Sequence, residues 1–268
     1  MYDASSIALA FGLTLLAGLS TGIGGFLGVL KHKPGPAFMA GSLGLSAGVM
    51  VYVSFVEMLP TANDFLGRAL GSVGAGWATA GAFFAGIALI ALIDRFVPEE
   101  INPHEPATLE GSAGDARRSR IMKAGLLTAG ALAIHNFPEG FATFIAALED
   151  PAIAVPIVAA IAIHNIPEGI AVAVPIREAT GSRAKGFWLA TLSGIAEPLG
   201  ALIGFLILMP FIGPATMGVS YAVVAGIMVF VSLDELLPTA QATGKHHHAV
   251  YGLVLGMAVM AVSLLLLT

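Results

Sequence analysis

Ala40–Ala62 reads AGSLGLSAGVMVYVSFVEMLPTA, with one acid, Glu57, and no base. Gly218–Ala240 reads GVSYAVVAGIMVFVSLDELLPTA, and the two align without gaps at 12 identities in 23 positions. Chance likeness between Ala-, Gly- and Val-rich helices is common. A shared ending Ser-x-x-Glu-x-Leu-Pro-Thr-Ala is not. Each copy is a continuous apolar run without period-two alternation, so it reads as a membrane-crossing helix and not as a barrel strand.

The rest of the chain extends that reading. Its 268 residues are 57% hydrophobic and 11% charged, with a mean hydropathy of +0.88, whereas a soluble domain carries roughly 25% charged residues. Stretches free of charge recur at Ala4–Leu30, Leu70–Ile93 and Ala249–Thr268, and about 20 residues cross a bilayer. The pattern predicts an all-α integral membrane protein of eight spans, at about 5–30, 37–60, 72–94, 121–147, 152–175, 186–209, 216–240 and 249–267. The repeated segments are the second and seventh spans. Five spans apart, they run in opposite directions, which makes the repeat inverted. Spans 1–3 and 6–8 are then the two halves, with 4 and 5 between them in a 3+2+3 arrangement.

Loop charge sets the expected orientation. With both termini outside, the inner loops hold eleven Lys and Arg residues and the outer loops only Arg68, a strong positive-inside bias. The whole of 1–268 reads as a single transmembrane domain. Its one extended polar segment, about 95–120, reads as a flexible cytoplasmic loop. No basic region precedes the first apolar run, so no cleaved leader is expected. The absence of cysteine excludes disulfides and thiolate metal sites. A net charge of −5 gives no sign of nucleic-acid binding.

The chemistry sits at mid-span. His135-Asn136-Phe137-Pro138-Glu139-Gly140 in the fourth span is followed by His164-Asn165-Ile166-Pro167-Glu168-Gly169 in the fifth, and Glu197 is central in the sixth. His and Glu four apart share a helical face, with the Asn beside them. On adjacent antiparallel helices the two copies can converge on one point, as a ligand set for zinc or another first-row divalent ion. Pro138 and Pro167 leave the carbonyls of Ile134 and Ile163 without their helical donors, which a membrane tolerates beside a polar cavity. A mid-membrane charge costs roughly 2.5–3.5 kcal/mol on insertion scales, and no Lys or Arg lies at this depth. Metal ions or protons are the available counter-charges. Three carboxylates suit two divalent ions, or one ion plus a proton.

These motifs resemble those of the ZIP (Zrt-, Irt-like) transporter family, in its bacterial ZupT-type branch. The likeness covers nearly the whole chain and includes Ala196–Gly200 and Thr21–Gly25. It implies eight spans with outside termini in the bacterial inner membrane. It also implies import of zinc, and of iron, manganese, cobalt or cadmium, as transported substrate with no organic cofactor. By resemblance, His135, Glu139, His164 and Glu168 form a primary metal site. Asn136, Asn165 and Glu197 join Glu139 and Glu168 in a second. Met50 stands where some relatives supply a thioether, and spans 1, 4, 5 and 6 move against 2, 3, 7 and 8. Two departures are visible. Only His104 lies in the inner loop, where many relatives have a His-rich tract. His164 and Asn165 stand where some relatives have Gln and Asp, which makes the second site less anionic.

The expected route runs past Ser54 and Glu57 at the outer mouth and past Asp234 and Glu235 at the inner one. The partners are metal ions and lipid, and a homodimer is compatible with the sequence. The competing reading is an intramembrane metal-dependent hydrolase, in which the same ligands activate water. Against it, the chain has no His-Glu-x-x-His pair, and an inverted repeat has no evident use in hydrolysis.

Overall fold

The computed structural model describes residues 3–30, 35–96, 115–149, 151–211 and 213–267. All regular structure among them is helical: α1 (Ala4–Gly28), α2 (Pro36–Val53), a π-turn (Ser54–Met58), α3 (Leu59–Phe96), α4 (Asp115–Glu149), α5 (Pro151–Thr180), α6 (Arg183–Gly194), α7 (Ala196–Leu208), α8 (Pro214–Val231), a second π-turn (Ser232–Leu236), α9 (Leu237–Ala242) and α10 (His246–Leu267). Within the described residues, five helical stretches are long and apolar enough to cross a membrane: Ala4–Gly28, Pro36–Leu92, Arg183–Ile207, Pro214–Ala242 and His246–Leu265. Trp77, Phe84, Leu206 and Leu265 are among the large apolar side chains left exposed on the outside, as a lipid solvent requires.

Pro36–Leu92 holds 57 residues, roughly 85 Å at 1.5 Å per residue, against a hydrocarbon core of about 30 Å. It is two passes. The break is Gly71, whose φ of +74° suits a residue without a Cβ. Leu66, before the break, touches Gly218, and the carbonyl of Phe83, after it, meets Gly226 two turns further along α8. The chain therefore reverses at Gly71. α4 begins at Asp115, six residues before the expected start of the fourth span, so the end of the expected loop is helical. Residues 97–114 of that loop, His104 included, lie outside the described residues.

Both repeat copies carry a π-turn at the same place. Ser54 and Ser232 donate their hydroxyls to the carbonyls of Met50 and Met228, each at 2.7 Å. Pro60 and Pro238 follow, and neither has an N–H to continue the i→i−4 ladder. A helix that must continue past a missing donor widens locally, and a π-bulge is the usual form of that widening. The other end of each copy is also matched: Pro36 and Pro214 occupy the first helical position, where a missing N–H costs nothing.

Backbone contact holds the helices in two sets of pairs. In the first, a Cβ on Gly48 of α2 would strike the Leu253 carbonyl of α10, and its repeat mate Gly226 of α8 would strike the Phe83 carbonyl of α3. In return, Gly256 meets the Leu45 carbonyl and Gly86 meets the Val223 carbonyl. Leu45 and Val223 are themselves aligned positions, so the repeat is present in the packing as well as in the sequence. In the second set, Gly24 and Gly169 join α1 to α5 through the carbonyls of Ile166 and Thr21. Gly140 and Gly200 join α4 to α7 through those of Glu197 and Phe137. The contact register advances together along α2 and α10, and likewise along α1 and α5, so each of these pairs runs parallel.

Candidate metal-transport site

α4 and α5 each pass through the bundle centre as unbroken helices despite Pro138 and Pro167. Their motifs come together there. His164 Nε2 lies 3.0 Å from Glu139 Oε1. Glu139 is 1% exposed, and Asn136, His164, Asn165, Glu168 and Glu197 are fully buried. The side chain of His135 lies outside the described residues, so its expected place in the ligand set is untouched by this geometry. Within the described residues, no three His, Asp or Glu side chains have the spacing of a closed metal shell. What is described is the His164–Glu139 pair flanked by two further buried carboxylates.

The span containing Glu197 is broken. α6 ends at Gly194, and α7 starts at Ala196 after a turn at Ile195. Pro198 removes the donor that would otherwise bond the Gly194 carbonyl. Asn136 Nδ2 donates to the carbonyl of Ser193 at 3.3 Å, so the amide of one motif ties α4 to the neighbouring helix one residue before that gap. Asn165 does the corresponding work elsewhere. Its Nδ2 donates to the Ala17 carbonyl of α1 at 3.1 Å and to Glu197 Oε1 at 2.5 Å. The carbonyl oxygens of both amides and Glu197 Oε2 are buried without a hydrogen bond. An unsatisfied buried acceptor costs about 1–3 kcal/mol, and oxygen acceptors of this kind have the chemistry that a cation can satisfy. Asn165 holds the Glu197 carboxylate, and Thr21 Oγ1 of α1 is buried with no hydrogen bond.

The other expected positions divide. Met50 is fully buried on α2. Ser54 is buried too, but its hydroxyl is committed to its own helix. Glu57 is half-buried. Asp234 and Glu235 are partly buried on the second π-turn, and Glu235 stands close enough to Glu168 for their charges to interact. A cavity of about 20 Å³ reaches Glu139 from the α8 side, between Val53, Met58, Thr143, Tyr221 and Val224. That is space for roughly one water-sized occupant.

Three features went unread in the sequence. Ser46 of α2 touches Glu168, each repeat copy carries a π-turn, and the Asn amides bond to backbone on other helices. Pro60 and Pro238, prolines inside runs that stay helical, were the available signal for the turns. Ser46, one helical turn before Met50, was the available signal for the hydroxyl.

The family model described as ZIP zinc transporter matches residues 98–264. The chain is 69% identical over 265 residues to the zinc transporter ZupT of Corynebacterium aurimucosum, covering 98% of this chain and 99% of the relative. It is 56% identical to the ZupT of Streptococcus mutans, covering 96% and 97%, and 52% identical to that of Clostridium perfringens, covering 98% and 97%. End-to-end likeness at this level, together with the doubled His-Asn-x-Pro-Glu-Gly motif meeting at one buried point, places the protein: the chain belongs to the ZIP zinc transporter family.

Proposed function

We propose that the chain imports zinc through the bacterial cytoplasmic membrane by alternating access across eight spans, both termini lying outside. As a member of this family it is a divalent metal transporter and not an enzyme. The observation that supports the zinc reading is the buried His164–Glu139 pair, 3.0 Å apart, with the fully buried carboxylates of Glu168 and Glu197 close by. A divalent cation is the charge that makes this arrangement tolerable in a low-dielectric interior.

His135, Glu139, His164 and Glu168 hold the ion in a primary site. Asn136, Asn165 and Glu197 share Glu139 and Glu168 with a second. Imidazole and carboxylate ligands suit zinc, cobalt, iron and cadmium, while the amide and carboxylate oxygens also suit manganese. Met50, beside the site on α2, adds a thioether. Glu57 lies at the outer mouth, with Ser54 as the start of its π-turn, and Asp234 and Glu235 line the inner exit. The parallel α1–α5 and α2–α10 pairs agree with eight alternating passes, since spans 1 and 5, and 2 and 8, then cross in the same direction. The excess of basic residues in the inner loops supports the orientation.

The test is zinc uptake into liposomes holding the reconstituted protein and an internal zinc-sensitive dye. Wild type gives uptake. Glu139→Ala and His164→Ala give none above protein-free vesicles. Uptake that survives both substitutions overturns the proposed site.

A further inference from the structure

The two His-Asn-x-Pro-Glu-Gly copies do not meet equivalent neighbours. α5 packs on α2, and α4 packs on α8, the two repeat copies. The ungapped alignment of those copies pairs Ser46 with Val224 and Met50 with Met228. On the α8 side, Val224 and Met228 line the small cavity that ends at Glu139. On the α2 side, Ser46 is fully buried, and its Oγ lies 3.3 Å from both Glu168 Oε1 and the carbonyl oxygen of His164. The aligned position therefore carries a hydroxyl on the α2 side, in contact with Glu168, and an isopropyl group on the α8 side.

A hydroxyl has one hydrogen and two lone pairs. Here the hydrogen is shared between a carboxylate and a backbone carbonyl. A cation arriving on Glu168 Oε1 repels the positive end of the O–H dipole. The hydrogen then settles on the His164 carbonyl, and a lone pair turns toward the ion. Val224, the aligned residue of α8, has no hydroxyl to play that part.

We propose that Ser46 is a positioning residue for the transported ion: its hydroxyl orients Glu168 and presents a neutral oxygen to the ion, and the Ser46/Val224 difference makes the two repeated half-sites unequal. A neutral hard oxygen favours ions that accept oxygen ligands, such as manganese and zinc, over softer cadmium. This rests on the proposed metal site, and its test separates the two.

The test uses zinc, manganese and cadmium chlorides with the purified full chain. Equilibrium binding is measured in detergent and uptake in liposomes. Ser46→Ala weakens zinc binding and raises the KM for zinc about tenfold, the scale of losing a group that orients a metal ligand, with maximal uptake little changed. Ser46→Thr, which keeps the hydroxyl, stays near wild type. Ser46→Cys shifts the preference from manganese toward cadmium. Unchanged zinc affinity in Ser46→Ala overturns the proposal, and so does a Ser46→Thr protein as impaired as Ser46→Ala, because a packing role alone would then suffice. A wild type that binds zinc without moving it sinks the transport reading, while the affinity ratio of the variants still decides the role of Ser46.

Discussion

The α1–α5 and α4–α7 region and the α2–α10 and α3–α8 region are joined by the same device and filled with different contents. Both bring backbones together at glycine. In the first, Gly140 and Gly169 directly follow Glu139 and Glu168, and every buried His, Asn and Glu that is described lies there. In the second, Gly48, Gly86, Gly226 and Gly256 sit among aliphatic and aromatic neighbours, and the buried polar groups among the described residues are hydroxyls, those of Ser46, Ser54, Thr79, Tyr221 and Ser232. Close packing alone thus does not mark a functional core. What marks it is the same glycine placed one residue after a carboxylate, where the distance between backbones also sets where the ligand sits.

Substitutions can break that contrast. The largest effect is expected from Gly140→Val and Gly169→Val. Each side chain would collide with a carbonyl of the partner helix, Glu197 or Thr21, so zinc uptake should vanish and the purified protein should lose most of its bound zinc. Gly48→Ala and Gly226→Ala, in the other region, collide with Leu253 and Phe83. Overpacking of this kind costs about 1–3 kcal/mol. Thermal unfolding in detergent should show that loss while zinc affinity per folded molecule stays at the wild-type value. Equal loss of affinity in both pairs would erase the distinction.

A middle-sized effect sharpens the comparison. Asn165→Asp replaces a donor to the Ala17 carbonyl and to Glu197 with a group that accepts from neither. Zinc binding should weaken, and the protein should unfold at lower temperature. Asn165→Asp that is both stable and tight-binding would show that the amide nitrogen matters little.

The smallest effect belongs at the N-terminus of α1. Asp3 caps the helix by accepting from the Ser6 backbone at 2.7 Å, and its bonds to Ser6 and Ser5 hold its carboxyl below the usual carboxylate range. A lowered folded value means that its contribution is complete above the ordinary pKa and lost as pH falls through the lowered one. Asp3→Ala should leave both uptake and its profile between about pH 5 and 8 unchanged.

How legible this was in the sequence depends on the kind of interaction. The doubled motif and the repeat could be read because they are patterns of residue identity at fixed spacing, and periodicity carries that information directly. The burial of Glu139, His164 and Glu168 followed from their depth in apolar runs. The break at Ile195 and the bonds from Asn136 and Asn165 could not be read in the same way. They join positions 57 and 148 residues apart, and nothing local to either partner reports the other. Ser46 was missed for a related reason. A serine in a membrane helix usually bonds its own carbonyl four residues back, as Ser54 and Ser232 do, and only the crossing of α2 over α5 diverts this one.

The two motif asparagines each serve two masters. Their nitrogens fasten α4 and α5 to the adjoining helices, while their oxygens stay open to a visitor. Turning either amide over to offer its nitrogen inward would both withdraw an oxygen from the proposed cation site and uncouple a neighbour. In the proposed site, loading of cargo and mechanical linkage of the helices that hold it thus depend on the same two planar groups, and neither can be tuned without disturbing the other.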